Sequence, residues 1–169
     1  MRSKLFCATI ALLFAAAEPA LAETINFKAH LTGHGEVPAN DAGGKGDLVA
    51  QVDTDTHVLT YKVTYKGLSG PATMAHFHGP AKASAVAPPI IAVDDPSSPI
   101  SGHASVTDAQ ISQLEKGLWY FNVHTAANPG GEIRGQVKRV VDWAAAEAPA
   151  GQGQDLRDMP RMPTNISNR

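Results

Sequence analysis

Three histidines carry the most specific chemistry in this sequence. Ala75-His-Phe-His-Gly79 sets His76 and His78 two residues apart, and Asn122-Val-His124 supplies a third. In an extended strand, alternate side chains share a face and stand about 6.5–7 Å apart at Cα. Two imidazoles at that spacing can converge on one ion. By the same alternation His124 lies on the polar face of its own strand, so neighbouring strands would gather three imidazoles on one patch. Imidazole suits zinc, copper, iron and nickel, and three histidines with an open position form a catalytic or transport geometry. A ligand set without sulfur favours Cu(II) or Zn(II) over Cu(I). The same residues also admit a plainer role: neutral rings, hydrogen-bonded to Asn122, Glu132 or the backbone, that only fix the fold. The metal role requires the two strands to be adjacent, which spacing alone does not supply.

Supporting residues cluster around this set. Asn122 and Glu132 are placed to hold the imidazoles in orientation. Glu132 and Arg134 are two apart on one strand. The planar guanidinium fork suits carboxylates, so the pair reads either as a structural brace or as a ligand contact. His34-Gly-Glu36, in a glycine-rich loop, offers a further ligand or a carboxylate behind the ligands. His30, His57 and His103 read as surface or strand-end residues. Nucleophilic catalysis, phosphate loops and dinucleotide fingerprints find no motif.

The elements that must position these groups are strands. Leu118-Trp-Tyr-Phe-Asn-Val-His-Thr125 and Glu132-Ile-Arg-Gly-Gln136 flank Asn128-Pro-Gly-Gly131, two strands and a turn. Trp119, Phe121 and Val123 share an oily face, while Tyr120, Asn122 and His124 share a polar one. Thr73 to His78 is a short strand with Ala75 and Phe77 on one face and Met74, His76 and His78 on the other. Further strands are predicted over Thr24–Leu31, Gly46–Val52, His57–Lys66 and Ile100–Val106, with an edge strand within Pro88–Val93. Loops fill Thr32–Lys45 and Gly79–Pro89. Thr107 opens a short helix to Lys116, with Gln110 completing its cap and Gly117 ending it. About eight short strands and one brief helix predict an all-β fold, a Greek-key, immunoglobulin-like β-sandwich.

The chain of 169 residues reads as one domain with an appendage at each end. Residues 1–22 combine Arg2 and Lys4, an apolar run and Ala20-Leu-Ala22, the pattern of a cleaved secretory signal. The one cysteine, Cys7, lies inside it, so the mature chain is expected to carry no disulfide. Removing Arg2, Lys4 and Glu18 from 14 basic and 16 acidic residues leaves 12 and 15, a net charge of −3. That balance argues against nucleic acid or an anionic membrane as partner. No later apolar run is long enough to cross a bilayer. The protein is expected to be exported, periplasmic or secreted. Residues 140–169 turn to Gly, Pro, Gln, Asp and Arg and read as a largely disordered tail. Asn165-Ile-Ser167 matches a glycosylation triplet that chance also supplies.

The same landmarks carry a resemblance. Leu31-Thr-Gly-His-Gly-Glu-Val-Pro38, Gly67-Leu68, Ala75-His-Phe-His-Gly79, Gly117-Leu-Trp-Tyr-Phe-Asn-Val-His-Thr125 and Asn128-Pro-Gly-Gly-Glu-Ile-Arg-Gly-Gln136 occur in this order over residues 24–139. Together they resemble the CHRD domain, the module repeated in the developmental regulator chordin and found singly in many exported bacterial proteins. Ala39 departs from the family, where a second proline is commoner. The resemblance implies a β-sandwich domain over residues 23–139, without established enzymatic activity. A fainter resemblance is to copper/zinc superoxide dismutase, another Greek-key sandwich with metal under loops on its outer face. That enzyme needs more histidines, an aspartate and a disulfide that a mature chain without cysteine cannot make. The sequence therefore leads to a non-enzymatic binding module with copper or zinc on His76, His78 and His124. The alternative is a structural or protein-interaction domain of the cell envelope with an unknown protein partner.

Overall fold

The computed structural model describes residues 23–140. The expected signal segment and all of the expected tail beyond Val140 lie outside these residues.

Alternation dictates the strands. β1 (Thr24–Thr32) buries Ile25, Phe27, Ala29 and Leu31. It pairs antiparallel with β2 (Lys45–Asp53) from Thr24↔Asp53 to Thr32↔Lys45. This long register takes Thr32 and Lys45 out of the expected loop and into the ladder. A 3-10 turn, Gly33–Gly35, follows β1. β3 (Val58–Lys66) pairs with β2 and presents Leu59, Tyr61 and Val63 inward. It starts one residue later than expected, because His57 occupies the left-handed region at φ 55° in the turn before it.

The second half supplies β4 (Ala72–His78), β5 (Pro89–Ala92) and β6 (Ile100–Ser105). α1 (Asp108–Glu115) comes next, then β7 (Tyr120–Thr125), β8 (Ile133–Gln136) and β9 (Lys138–Val140). α1 has the expected reciprocal cap: Gln110 N–H donates to Thr107 Oγ1 at 3.3 Å, and Thr107 N–H donates to Gln110 Oε1 at 2.8 Å. Short β9 was not expected as a strand; it pairs with Asn26–Lys28 of β1.

The strands form one antiparallel path, β5-β4-β7-β8-β1-β2-β3-β6, with β9 alongside β1. The path folds over on itself. Tyr61 of β3 and Phe77 of β4 are far apart along the path, yet their rings meet edge to face at 5.0 Å. Phe77 also packs on Phe121 at 4.8 Å, and Trp119 lies 6.1 Å away. These contacts join both halves in one apolar core. The fold is all-β, as expected. Its two layers are joined through the narrow β8–β1 contact at Thr32↔Arg134. β5, with Pro89, is an edge strand as expected.

Candidate metal centre

β4 and β7 are neighbours. Their register sets Met74 opposite His124, His76 opposite Asn122 and His78 opposite Tyr120. β8 continues the rows, with Arg134 opposite Asn122 and Gln136 opposite Tyr120. Phe77 and Val123 point into the core, so strand alternation puts all three histidines on the outer face. This face is not open to solvent. Every residue of β7 is buried, and His78 and His124 are only 8% and 6% exposed.

The cover is the segment from Gly79 to Ala87, fastened by the polar side chains of the outer face. Gln136 donates to the Ala81 and Gly117 carbonyls at 2.8 and 2.7 Å. Arg134 donates to the Ala85 carbonyl at 2.8 Å and to the Ala83 carbonyl at 3.3 Å. Its guanidinium also stacks on Tyr120, 3.4 Å from the ring centre. Tyr120 in turn stacks parallel to His78, at 4.7 Å between centroids. Arg134 is thus a roof support, rather than the partner of Glu132 that the sequence suggested.

Two imidazoles are locked in one tautomer by carbonyls, which only accept. His78 Nδ1–H donates to the Ala87 carbonyl at 2.9 Å, and His124 Nδ1–H donates to the Pro129 carbonyl at 3.0 Å. When neutral, both rings therefore present a bare Nε2 lone pair. His124 Nε2 lies 3.3 Å from His76 Nδ1 and 3.1 Å from Asn122 Oδ1. His78 Nε2 is buried and has no hydrogen-bond partner among the described residues. One ligand atom from each of the three histidines falls within 4.8 Å of the others. Two nitrogens bound to one ion at 2.0–2.1 Å with tetrahedral angles stand about 3.3 Å apart, the spacing of the His76–His124 pair. His76 is the least buried of the three.

The electrostatics favour neutral rings. Burial, together with the neighbouring His124 and His78, holds His76 below the ordinary histidine range. Burial lowers His78 too, against the Ala87 carbonyl and the Asn122 side chain and with help from the His124 and Arg134 charges.

The supporting carboxylates exchange the places the sequence suggested. Glu132 is fully buried but faces the β3–β4 connection. It accepts from Ser69 N–H at 2.7 Å, from the Ser69 and Thr125 hydroxyls at 2.5 Å each, and from Asn128 Nδ2 at 3.1 Å. It does not orient the imidazoles. The carboxylate nearest them is Glu36, folded in from the loop after the 3-10 turn. Asn122 sits between the Glu36 carboxylate and the cluster, its side-chain amide 3.1 Å from His124 Nε2. A Cβ at Gly131 would land on the Glu36 carboxylate, and Gly131 also takes φ 131°. Burial raises the Glu36 carboxyl, against Arg134, the Val37 N–H and Asn122. Glycine at position 131 is the one sequence-level sign that something must approach there.

The remaining candidates lie elsewhere. His34 is exposed and lines a cavity of about 380 Å³ with Glu36, Arg134 and Gln136, away from the cluster. His30 pairs with Asp47 at 2.8 Å and His57 with Asp108 at 3.1 Å, both at the surface, and His103 is exposed. Among the described residues, no carboxylate or fourth histidine joins the cluster. Among the described residues, no helix is long and apolar enough to cross a membrane.

Comparison with curated proteins and with solved structures returns no match. The family model of the CHRD domain matches residues 27–137, from the core phenylalanine of β1 to Val137 after β8. That span contains the histidines, their tautomer-fixing carbonyls, Glu36 and Arg134, and the chain belongs to the CHRD domain family.

Proposed function

We propose that this CHRD domain is an exported, non-catalytic binding module that holds Cu(II) or Zn(II) on His76, His78 and His124. The observation that carries this reading is the set of imidazole nitrogens converging beneath the roof. Two of them are fixed as bare lone pairs by carbonyls, and one is buried with nothing to accept from. A buried acceptor without a partner costs about 1–3 kcal/mol, and a bound cation removes that cost. Asn122 and Glu36 stand behind the ligands, Asn122 orienting the cluster and Glu36 adding negative charge when ionised.

The test is calorimetric titration of the purified protein with Cu(II) and with Zn(II), beside a His76→Ala/His78→Ala variant. One equivalent bound by the parent and none by the variant is expected. Equal binding by both, or none by the parent, overturns the reading.

A second reading, a structural or protein-interaction domain of the envelope without metal, draws on the carbonyl hydrogen bonds that fix His78 and His124. It predicts that His124→Ala lowers the melting temperature equally with and without a chelator. A dismutase-like enzyme is a third, and a negative superoxide assay on copper-loaded protein removes it.

A further inference from the structure

The outer face of β4 does not begin with His76. Met74 shares that face by strand alternation and lies directly opposite His124 in register. It carries the only sulfur among residues 23–140. Exposure falls along this face, from 46% at Met74 through half-buried His76 to 8% at His78. Met74 is thus at the open end of the row whose buried end is the unpartnered His78 Nε2. The burial logic of the fold does not account for an apolar side chain this exposed: Ala75 and Phe77 fill the core beneath it, and Met74 adds nothing there.

Directly opposite residues on antiparallel strands have Cβ atoms about 4.5–5.5 Å apart. A methionine side chain has three rotatable bonds. Its thioether can therefore swing over the His124 ring, beside the gap between His124 Nε2 and His76 Nδ1, without backbone movement. Thioether sulfur is a soft ligand that selects Cu(I), and it adds little for Zn(II) or Cu(II).

We propose that Met74 is a soft fourth ligand that lets the histidine site hold Cu(I) as well as Cu(II), at the end of β4 where the ion enters. The proposal rests on the metal reading above and narrows it from copper or zinc to copper in either oxidation state. The three histidines without sulfur favour Cu(II) or Zn(II), and the register with β7 brings a sulfur beside them.

The test compares the purified protein with a Met74→Leu variant, in which the exposed side chain keeps its bulk and loses its sulfur. Cu(I) affinity is read anaerobically by competition with bathocuproine disulfonate, and Cu(II) and Zn(II) affinities by titration. Met74→Leu is expected to weaken Cu(I) binding about tenfold or more while leaving Cu(II) and Zn(II) within about twofold. Copper K-edge absorption of the Cu(I) form should show a sulfur neighbour at about 2.3 Å in the parent, lost in the variant. Equal Cu(I) affinity in the two proteins, an unchanged sulfur signal, or a parallel fall for all three ions overturns the role of Met74 and leaves the histidine site standing. A parent protein that binds none of the three ions overturns both.

Discussion

Glu132→Ala separates bracing from ligand support. Glu132 is fully buried and accepts four hydrogen bonds, three of them from Ser69 and Thr125. After truncation the two hydroxyls can turn to each other, since their oxygens are already 3.2 Å apart. Asn128 Nδ2 keeps a long contact to Ser69 Oγ at 3.5 Å, and the N–H of exposed Ser69 turns to water. A hydrogen bond to a charged group contributes about 1.5–3 kcal/mol; with water replacing part of the loss at exposed Ser69 and half-buried Asn128, the variant should lose about 3 kcal/mol. For a domain of this size that is a fall of roughly 10 °C in Tm. The assay is urea and thermal unfolding followed by circular dichroism, with Ser69→Ala and the double variant completing a cycle. Burial raises the Glu132 carboxyl, but the Ser69, Thr125 and Asn128 donors together hold it below its ordinary 4.5. As pH falls below 4.5 the unfolded chain takes up this proton first, so the carboxylate's contribution is present above 4.5 and is lost in acid. The gap between parent and variant should narrow accordingly. A loss under about 1 kcal/mol refutes the brace. So does unchanged stability with weakened metal binding, the outcome expected had Glu132 oriented the imidazoles.

Other predictions follow from the same contacts. Arg134→Lys keeps the charge but loses the fork and the stack on Tyr120. It should cost about 2 kcal/mol and speed hydrogen exchange in residues 82–87, read by mass spectrometry. His76 and His78 are both held below the ordinary 6.5. Below 6.5 the unfolded chain binds more protons than the fold, so stability of the metal-free protein is full above 6.5 and falls as pH drops. Urea titrations between pH 7.5 and 5.5 should show this slope in the parent and a flatter one in His76→Ala/His78→Ala. The raised Glu36 carboxyl works the other way, since the fold holds its proton above 4.5 and stability is lost as pH rises through that window. Glu36→Gln should therefore match or exceed the parent in thermal melts at neutral pH, with the difference gone below 4.5. A Tm well below the parent's would show that the charge itself is needed.

Period-two patterning made the faces legible. It put His76, His78 and Met74 together and set His124 opposite the core side of its strand, because those facts are local to each strand. The adjacency of β4 and β7 was not legible. It joins residues far apart in sequence, and nothing local to either strand specifies its partner. The same limit explains the exchange of Glu36 and Glu132. Glu132 sits one residue before β8, where strand parity no longer fixes direction, and its partners come from the distant Ser69 turn. Glu36 comes beside Asn122 because its loop folds over Gly131. In sequence the roof is an uncommitted loop, since its fastenings are backbone carbonyls, which every residue offers. Arg134 consequently looked like a partner for Glu132, when its donors hold Ala83 and Ala85. β9 is only three residues long and followed the last recognisable alternation.

The central claim is that one ion binds among His76, His78 and His124. The most direct measurement is a crystal structure of the protein grown with Cu(II) or Zn(II), with anomalous scattering collected at the metal edge. A single peak about 2.0–2.1 Å from His76 Nδ1, His78 Nε2 and His124 Nε2 is predicted. An ion at surface histidines such as His34 or His103, with the His78 nitrogen still unpartnered, would contradict it.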